Sequence, residues 1–554
     1  MPQALAVTAM PHAQPGRAWL LTLWLVGCLL GCLLVSGCAS LPSTVDRPIS
    51  AALTDTSQTR LGQAVAARAA KAGTRNDSGF ALVSSAELAF TSRMTLIKAS
   101  QKTLDLQYYA VHFDDSTERL FEALREAANR GVRVRILMDD FNTAGKNAQV
   151  LKLAFENNIE LRLFNPLPST RALPLFRILS SLGDVARMQR RMHNKIFVAD
   201  NAVAITGGRN LGDTYFGQSE GTNFIDLDVL AVGRMARDLS HSFDQYWNNP
   251  LAYPVQSLMS EKEIDAIKPK PAPATGGLIS TAVAATGAEQ KASAISALPA
   301  STDLALLTWT WAASAVLVDE ASKIAADADA VELEQDTAVD GLLSLMSQAQ
   351  TDLLVVSPYF VPGALMMQQF ADIRKRGVRV RVLTNSLASN DAVAAHAGYA
   401  RYREALLALG IEIYEMRAEQ RGTLSSFGSG FGSAGGSSGQ SRASLHAKTI
   451  VIDKRLLIVG SMNLDLRSKL QNSEVAVVMR NSKLATEAIA LIEPSLTKGA
   501  YKVESLGDAK AGAGLIWRAP QGSGLPDATS EPDASLGLKL LVRVIGPFAP
   551  DEML

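Results

Sequence analysis

The sequence has few cysteines, and all of them lie near its amino terminus. Among 554 residues there are three, Cys28, Cys32 and Cys38, inside or just after one apolar stretch. The rest of the chain therefore has no disulfide framework. An excess of charge is also lacking, because Lys plus Arg and Asp plus Glu both number 54. No overall charge attracts the chain to nucleic acid, which disfavours a nucleic-acid partner.

Only one stretch is long and apolar enough to enter a membrane. It follows Arg17, extends from residue 18 to about 35, and leads into Val35-Ser36-Gly37-Cys38-Ala39. Small residues before a cysteine at the end of an apolar run resemble a bacterial lipobox, in which Cys38 is acylated and begins the mature protein. The alternative is an uncleaved helix, because the run is close to the ~20 residues of a membrane span. Both alternatives predict an exported body, anchored in the bacterial cell envelope on the periplasmic side, with inner or outer membrane left open.

The remaining sequence contains an internal repeat. The hexapeptide Arg-Gly-Val-Arg-Val-Arg occurs at 130–135 and again at 376–381, and strands and helices follow the same order around each copy. This pattern predicts a duplicated α/β unit. We expect the alternating arginines, at 133, 135, 379 and 381, to face solvent. The predicted regions are a lipoprotein signal peptide or membrane anchor at 1–38, a tether at 39–78, a first lobe at 79–255, a linker or insertion at 256–340, a second lobe at 341–502 and a tail at 503–554.

Two segments near the second half have unusual compositions. Residues 421–443 are dominated by Gly and Ser and directly precede a histidine, so we predict a mobile loop beside the site. The tail contains a short basic and apolar segment, Leu536–Ile545, which fits either a helix resting on a membrane or an element covering the body.

Each half of the repeat contains the same short pattern. In both copies four residues separate Lys from Asp, and six separate Asp from Gly. The chain has six histidines, and two of them hold matching positions, which predicts one active site assembled from two halves. The copies are His193-Asn194-Lys195, Asp200 and Gly207-Gly208-Arg209-Asn210, then His446-Ala447-Lys448, Asp453 and Gly460-Ser461-Met462-Asn463.

These residue types suit the chemistry of a phosphodiester. One neutral imidazole of His193 and His446 can attack phosphorus, while the other, protonated, donates to the leaving alcohol. Lys195 and Lys448 offset the phosphate charge. A metal site is disfavoured because lysine is a poor ligand, and no cofactor is expected. The expected phosphate-binding residues are Asn210, Asn463, Gly207, Gly208, Gly460 and Ser461.

The two motif aspartates are counted with the catalytic motif, but their surroundings predict a structural position. Asp200 is followed by Asn201 and Asp453 by Lys454, each after a short apolar strand. Both pairs are typical of hairpin turns. The chain would then return to the His-x-Lys segment at the glycines.

These residues resemble the signature of the phospholipase D superfamily, over roughly 80–250 and 345–500. The resemblance implies an α/β fold of two α/β/α sandwich lobes, which meet at a pseudo-twofold axis and share one active site. It also implies a phosphohistidine intermediate without metal, with His193 as nucleophile and His446 as acid and then base, although the two roles could be exchanged. A carboxylate after each motif would orient a histidine, namely Glu474 and, as its counterpart, Asp228. Gly208 departs from the signature, because many members have serine there.

Flanking stretches narrow the resemblance to the bacterial cardiolipin synthase C branch. That resemblance implies a membrane-tethered transphosphatidylase, which transfers a phosphatidyl group from phosphatidylglycerol or phosphatidylethanolamine to phosphatidylglycerol. Its partners would be phospholipids and the membrane, and no obligate protein partner is inferred. Two alternatives stay open: a phospholipase D or nuclease that uses water as acceptor, and a non-catalytic lipoprotein that binds anionic lipid. The stretches are Arg190–Lys195, Gly207–Asp213, Thr384–Ala388 and His396–Arg401.

Overall fold

The computed structural model describes most of the chain outside its amino terminus. The described residues are 41–74, 77–167, 184–259, 263, 307–325, 337–419, 442–507, 514–546 and 551. The apolar run with Cys38, most of the predicted linker and residues 420–441 of the Gly/Ser segment lie outside them. Within the described ranges, no helix has the length and apolar character needed to cross a membrane.

The strands fall into two sets of similar order. The first set is β1 (Ser78–Val83), β2 (Thr103–Tyr108), β3 (Arg133–Asp139), β4 (Ile159–Phe164), β5 (Ile196–Ala199), β6 (Val203–Gly207), β7 (Thr222–Ile225), β8 (Asp228–Val232) and β9 (Ala252–Pro254). The second set is β10 (Thr310–Val318), β11 (Asp352–Val356), β12 (Arg379–Asn385), β13 (Glu412–Met416), β14 (Arg442–Leu445), β15 (Thr449–Ile452), β16 (Leu456–Gly460), β17 (Val475–Arg480), β18 (Ala500–Ser505) and β19 (Leu515–Arg518).

Helices connect and cover these strands. They are α1 (Arg60–Lys71), α2 (Ala86–Ala99), α3 (Asp115–Asn129), α4 (Val185–Gln189), α5 (Arg234–Trp247), α6 (Ser322–Ala325), α7 (Ala338–Ser347), α8 (Gly363–Lys375), α9 (Val393–Ala408), α10 (Leu466–Leu470), α11 (Ser482–Lys498) and α12 (Leu536–Ile545). Short 3₁₀ helices lie at Thr56–Gln58, Gly145–Phe155 and Val255–Ser257.

One continuous sheet joins seventeen of these nineteen strands, and its strand order is symmetric about the centre, while β7 and β14 pair with each other in a separate two-stranded sheet. From one edge the order is β9, β4, β3, β2, β5, β6, β8 and β1, and it continues through β10, β17, β16, β15, β11, β12, β13, β18 and β19. Read outward from the antiparallel β1–β10 pair, the two halves match strand for strand up to β9 and β18. The predicted duplication of an α/β unit is therefore confirmed.

The second half of the sheet begins earlier than the sequence predicts. β10 lies inside the predicted linker at 256–340, yet it occupies the same place in its half as β1 does in the first. Its sequence, Thr-Trp-Ala-Ala-Ser-Ala-Val-Leu-Val, carries no charge. Residues 310–312 pair with β1, and residues 313–318 pair with β17. The strand follows a long segment rich in Ala, Pro, Lys and Ser, and that composition predicts a linker and conceals the strand.

Helices cover both faces of each half of the sheet. α2 and α3 pack on one face of the first half, and α7, α8 and α9 pack on one face of the second. α5 and α11 contribute to a shared core between the halves, which contains Val229 of the first half and Val459 of the second. This arrangement is the expected pair of α/β/α sandwiches.

The prediction that the repeated arginines face solvent is wrong for two of the four. Arg135 is fully buried and pairs with Asp105 at 2.6 Å and Asp244 at 2.8 Å. Arg381 is also buried and pairs with Asp352 at 3.3 Å. Carboxylates from neighbouring elements satisfy these cations, which the strand alternation cannot reveal.

The predicted tether is partly docked on the first lobe. Arg135 donates to the carbonyl of Ser50 at 3.0 Å, and Arg162 donates to that of Pro48 at 2.6 Å. Asn248 also donates to the Ser50 carbonyl, at 3.0 Å. Residues 48–53 therefore follow the surface of the body instead of extending freely from it.

Candidate active site

The two motif histidines lie where the halves of the sheet meet. The backbone N–H of His193 donates to the carbonyl of Ser473 at 2.9 Å, and that of His446 donates to Ile225 at 2.8 Å. In each case the accepting residue belongs to the other lobe and is followed by a carboxylate. The backbone thus brings Glu474 to His193 and Asp226 to His446.

Glu474 holds His193, as the sequence predicts for one histidine. Its carboxylate lies 3.0 Å from the Nδ1 atom of His193, and both side chains are buried. The hydroxyls of Ser461 and Ser468 also donate to this carboxylate. Glu474 is therefore fixed by its own lobe while it orients a histidine of the other.

The carboxylate that holds His446 is Asp226, not the expected Asp228. The Oδ2 atom of Asp226 lies 2.8 Å from the Nδ1 atom of His446. Asp228 instead accepts from Arg93 at 3.0 Å and lies 3.4 Å from Arg209. The strand register explains the error, because Gly207 pairs with Asp228 as Gly460 pairs with Ala476. Asp226 is thus the structural counterpart of Glu474.

The ring surroundings of the two histidines differ. His193 meets Tyr109 edge-on, with ring centroids 5.0 Å apart. His446 contacts two rings, Tyr215 at 5.3 Å and Phe224 at 4.9 Å. Since Nδ1 of each histidine faces a carboxylate, that nitrogen carries the proton, and in the neutral ring Nε2 keeps a free lone pair.

In the ligand-free site, burial and nearby cations favour the neutral form of both imidazoles. Burial lowers the pKa of His193 well below its usual value, and Lys195 and Lys448 lower it further. Burial also lowers the pKa of His446, but the hydrogen bond to Asp226 opposes that shift. Of the two, His446 therefore accepts a proton more readily.

Both motif lysines are buried beside their own histidines. Lys195 donates to the carbonyl of His193 at 2.7 Å, and Lys448 donates to that of His446 at 2.6 Å. Burial, opposed by Glu474, lowers the pKa of Lys195 to about 7. Burial also lowers the pKa of Lys448. A bound anion would favour the charged form of both.

The two motif asparagines face the same cavity but differ in their contacts. Asn210 accepts from the backbone N–H of Ala110 at 3.1 Å and donates to the hydroxyl of Tyr215 at 3.0 Å. The side-chain oxygen of Asn463 has no hydrogen-bond partner among the described residues. The Asn463 side chain is therefore the less engaged of the two, and its amide nitrogen is the atom that could donate to a phosphate oxygen.

The sequence suggested that the four small motif residues contact phosphate. In the structure they face neighbouring strands. An added Cβ would lie 2.2 Å from Asp228 at Gly207, 2.5 Å from Asp226 at Gly208 and 2.3 Å from the Val475 carbonyl at Gly460. The hydroxyl of Ser461 donates to Glu474. These residues bring the carboxylates close to the histidines.

The motif aspartates lie in hairpin turns, away from the histidines. Asp200 and Asn201 have φ of 50° and 49°, and Asp453 and Lys454 both have 52°. Positive φ at both central residues is the geometry of tight hairpins. Each carboxylate accepts backbone N–H groups ahead of a neighbouring strand, at 101–103 and 350–352 respectively. The geometry gives them a structural position outside the reacting centre.

A cavity of about 600 Å³ opens at the two histidines. Several lining residues were not predicted from the sequence, and Arg467 follows the second motif closely enough that the motif's extension could have revealed it. Within the described ranges, no group of three or more His, Cys, Asp or Glu is arranged to hold a metal ion. The unpredicted lining residues include Tyr109, His112, Phe141, Tyr215, Phe224, Tyr359, Asp391 and Arg467.

Comparisons with known proteins agree with this geometry. A family model described as "Cardiolipin synthase, PLD-like domain" matches residues 94–247 and 342–494. The chain is 37% identical over 402 residues to cardiolipin synthase C of Escherichia coli, covering 72% of this chain and 80% of that protein. It is 23% identical over 419 residues to a cardiolipin synthase of Staphylococcus aureus, covering 74% and 67%.

A solved structure shares the fold. The phosphatidylserine synthase of Haemophilus influenzae superposes with a TM-score of 0.53 at 12% identity, covering 88% of this chain and 99% of that chain. At this identity the likeness concerns the fold alone.

Proposed function

Because the chain belongs to the phospholipase D-like family and is an enzyme of the phosphatidyltransferase type, we propose that it synthesises cardiolipin. The donor is phosphatidylglycerol or phosphatidylethanolamine, and the acceptor is a second phosphatidylglycerol. The observation that carries the proposal is the pair of histidines, each oriented by a carboxylate of the other lobe and both open to one cavity.

In the first step, Nε2 of His193 attacks the phosphorus of the donor lipid. The bond from phosphorus to the head-group oxygen breaks, and protonated His446 gives that oxygen its proton. Burial lowers the pKa of His193 well below its usual value and also lowers that of His446, where the hydrogen bond to Asp226 opposes the shift. The negative phosphate of a bound donor lipid would further favour the protonated form of His446, so we assign the proton to that ring. The product of this step is a phosphatidyl-histidine and a free alcohol.

In the second step, His446 is neutral and acts as a base. It removes the proton from a hydroxyl of phosphatidylglycerol, whose oxygen then attacks the phosphorus and releases His193. Lys195, Lys448 and Asn463 stabilise the charge on the phosphate oxygens in both steps. Glu474 and Asp226 keep the rings aligned, since a misdirected imidazole loses most of its effect.

A lipid acceptor brings a second phosphate, and the cavity wall offers a cation for it. Arg467 lines the cavity together with both histidines. Guanidinium groups bind phosphate oxygens well. The aromatic side chains of Phe141 and Phe224 lie in the same wall and would accept apolar parts of a lipid. These features favour phosphatidylglycerol over water as the acceptor.

Both substrates are bilayer lipids, which fits the amino-terminal sequence. We propose that residues 1–38 anchor the protein in the cell envelope, through an acylated Cys38 or an uncleaved helix, with the body on the periplasmic side. The docked segment at 48–53 would then keep the body close to the anchored membrane.

The proposal is tested with purified full-length protein and defined lipids. Phosphatidylglycerol alone, or with phosphatidylethanolamine, is expected to yield cardiolipin, and radiolabelled donor is expected to trap a phosphatidyl-histidine. His193→Ala and His446→Ala should each lower the rate by at least about 10³-fold. His241→Ala is the matched control, because this histidine is exposed on α5 and should keep the full rate.

Three results would contradict the proposal. Cardiolipin formation by His193→Ala or His446→Ala at the full rate would exclude the assigned chemistry. Phosphatidic acid as the main product would identify water as the acceptor and the protein as a phospholipase D. Tight binding of anionic lipid without any trapped intermediate or product would indicate a binding protein.

A further inference from the structure

The helix α12 presents apolar side chains to solvent. Leu536 is 85% exposed, Leu540 62%, Leu541 46% and Val544 56%. These four account for half of the large apolar side chains that are strongly exposed in the described part of the chain. A concentration of exposed apolar surface on one short element marks an interaction site.

The other sides of α12 have different characters. Leu538, Val542 and Ile545 are partly buried and form the side that packs on α9. Lys539 and Arg543 are four residues apart and form a basic edge beside the exposed apolar face. An apolar face with flanking cations is typical of helices that lie in the interface of a membrane.

The segment carrying α12 is fastened to the body on both sides of the helix. Before α12, Glu531 pairs with Arg403 of α9 at 2.9 Å. Burial opposes the charge of Glu531, but Arg403 and His396 lower its pKa to about 2. After α12, Arg401 donates to the carbonyl of Gly546 at 3.2 Å and also to the carboxylate of Asp551. α12 is therefore held in place on α9.

α9 links this surface to the active site. Its first turn contributes Ala394 and Ala395 to the wall of the cavity that contains His193 and His446. The exposed face of α12 is thus fixed relative to the cavity wall. A partner bound to that face is therefore held at a fixed distance from the cavity that contains His193 and His446.

We propose that α12 binds the surface of a phospholipid bilayer and orients the cavity towards its lipid substrates. The apolar residues enter the boundary between head groups and acyl chains, and Lys539 and Arg543 contact anionic head groups. The basic edge favours an anionic bilayer over an apolar protein partner. This inference rests on the proposed function, because it requires that the substrates are lipids in a membrane.

The test compares one protein on two forms of the same lipid. Full-length wild-type protein and the triple variant Leu536→Glu, Leu540→Glu, Val544→Glu are assayed on vesicles of phosphatidylglycerol and phosphatidylethanolamine. Both are also assayed on dihexanoyl-phosphatidylglycerol below the concentration at which it forms micelles. We expect the variant to lose about tenfold or more on vesicles and to keep its rate on the monomeric lipid.

A matched control is Leu506→Glu, which charges a leucine that is 49% exposed just after β18 and should leave both rates unchanged. An unchanged vesicle rate in the triple variant would overturn the inference. Equal losses on both lipids would also overturn it, because they indicate a structural role. If wild-type protein forms no product from either lipid, the proposed function itself fails, which is a distinct result.

Discussion

At the residue scale, the two halves of the site use carboxylates of different length. Glu474 reaches His193 and also accepts a hydrogen bond from the hydroxyl of Ser461. Asp226 is one methylene shorter, so its carboxylate lies close to the backbone that faces it. An added Cβ at Gly208 would lie 2.5 Å from that carboxylate. A side chain at position 208 would therefore collide with the carboxylate of Asp226, which explains why glycine stands where many family members have serine.

The buried lysine beside His193 predicts a pH dependence of substrate binding. The pKa of Lys195 is lowered to about 7, so its side chain is charged below pH 7 and loses its charge as the pH rises. A phosphodiester stays anionic over this range and binds the charged form better. We expect KM for a monomeric short-chain phosphatidylglycerol to rise above pH 7, by up to about tenfold per unit. The measurement is KM and kcat from pH 6 to 9.

The control for this prediction is Lys195→Arg, which keeps its charge throughout the range. Its KM should be nearly independent of pH, even if the longer side chain raises the absolute value. In wild-type protein kcat should vary less than KM, because bound phosphate raises the pKa of the lysine. A wild-type KM that is constant from pH 6 to 9 would argue against a neutral lysine in the free enzyme.

Much of the site follows from the sequence at this scale, but one carboxylate does not. The repeated His, Lys and Asn types and their spacing identify the residues that the fold brings together. The sequence analysis missed Asp226 because the first motif is separated from its carboxylate by more residues than the second motif is. The position of Glu474 relative to the second motif therefore does not predict the position of its counterpart after the first. Only the pairing of Gly207 with Asp228 shows that the counterpart of Glu474 lies two residues earlier.

At the element scale, the motif aspartates join strands to one another. Asp200 turns the chain from β5 to β6, and its carboxylate accepts the N–H groups of residues 101–103 at the start of β2. Asp453 does the same between β15 and β16, for residues 350–352. The strands that follow the His-x-Lys segments, β5 and β15, are thereby held against β2 and β11.

This arrangement predicts that the aspartates affect stability more than chemistry. Asp200→Ala leaves the buried N–H group of Thr103, and the less buried ones of Gln101 and Lys102, without this acceptor. It should lower the free energy of unfolding by about 2–3 kcal/mol. Asp453→Ala should cost less, because the groups around it are largely exposed. We expect kcat of both variants to stay within a few-fold of wild type at a temperature where they are folded. Thermal unfolding and kcat are measured on the same preparations.

Asp200→Asn serves as the milder comparison, since asparagine also tolerates positive φ and retains one acceptor oxygen. It should fall between wild type and alanine in stability. A loss of about 10²-fold in kcat with an unchanged unfolding temperature would instead assign the aspartate to the chemistry.

The sequence predicts elements better than it predicts their partners. Alternating apolar residues correctly predict β3 and β12, but the same alternation suggests that Arg135 and Arg381 face water. Their burial depends on Asp105 and Asp352 of the adjacent strands. The sequence analysis missed β10 for a related reason. This strand is stabilised by pairing with β1 and β17, which are distant from it in sequence.

At the scale of the whole molecule, neither half contains a complete site. β1 and β10 join the halves edge to edge, and the shared core places the two motifs beside each other. Glu474 of the second half orients His193 of the first, and Asp226 of the first half orients His446 of the second. Removing one carboxylate should therefore impair the histidine of the opposite lobe.

Separate roles for the histidines predict a difference between Glu474→Gln and Asp226→Asn. A phosphatidyl ester of p-nitrophenol has a leaving group that needs no proton, so formation of the phosphohistidine requires only a well-oriented His193. Asp226→Asn should therefore still release one equivalent of p-nitrophenol per active site, and then turn over about 10²-fold or more slowly, because His446 no longer activates the acceptor. Glu474→Gln should show no such burst. Rapid-mixing absorbance measurements distinguish the two variants. A burst from Glu474→Gln and none from Asp226→Asn would exchange the roles of the histidines, and equal behaviour would show that neither carboxylate acts through one histidine alone.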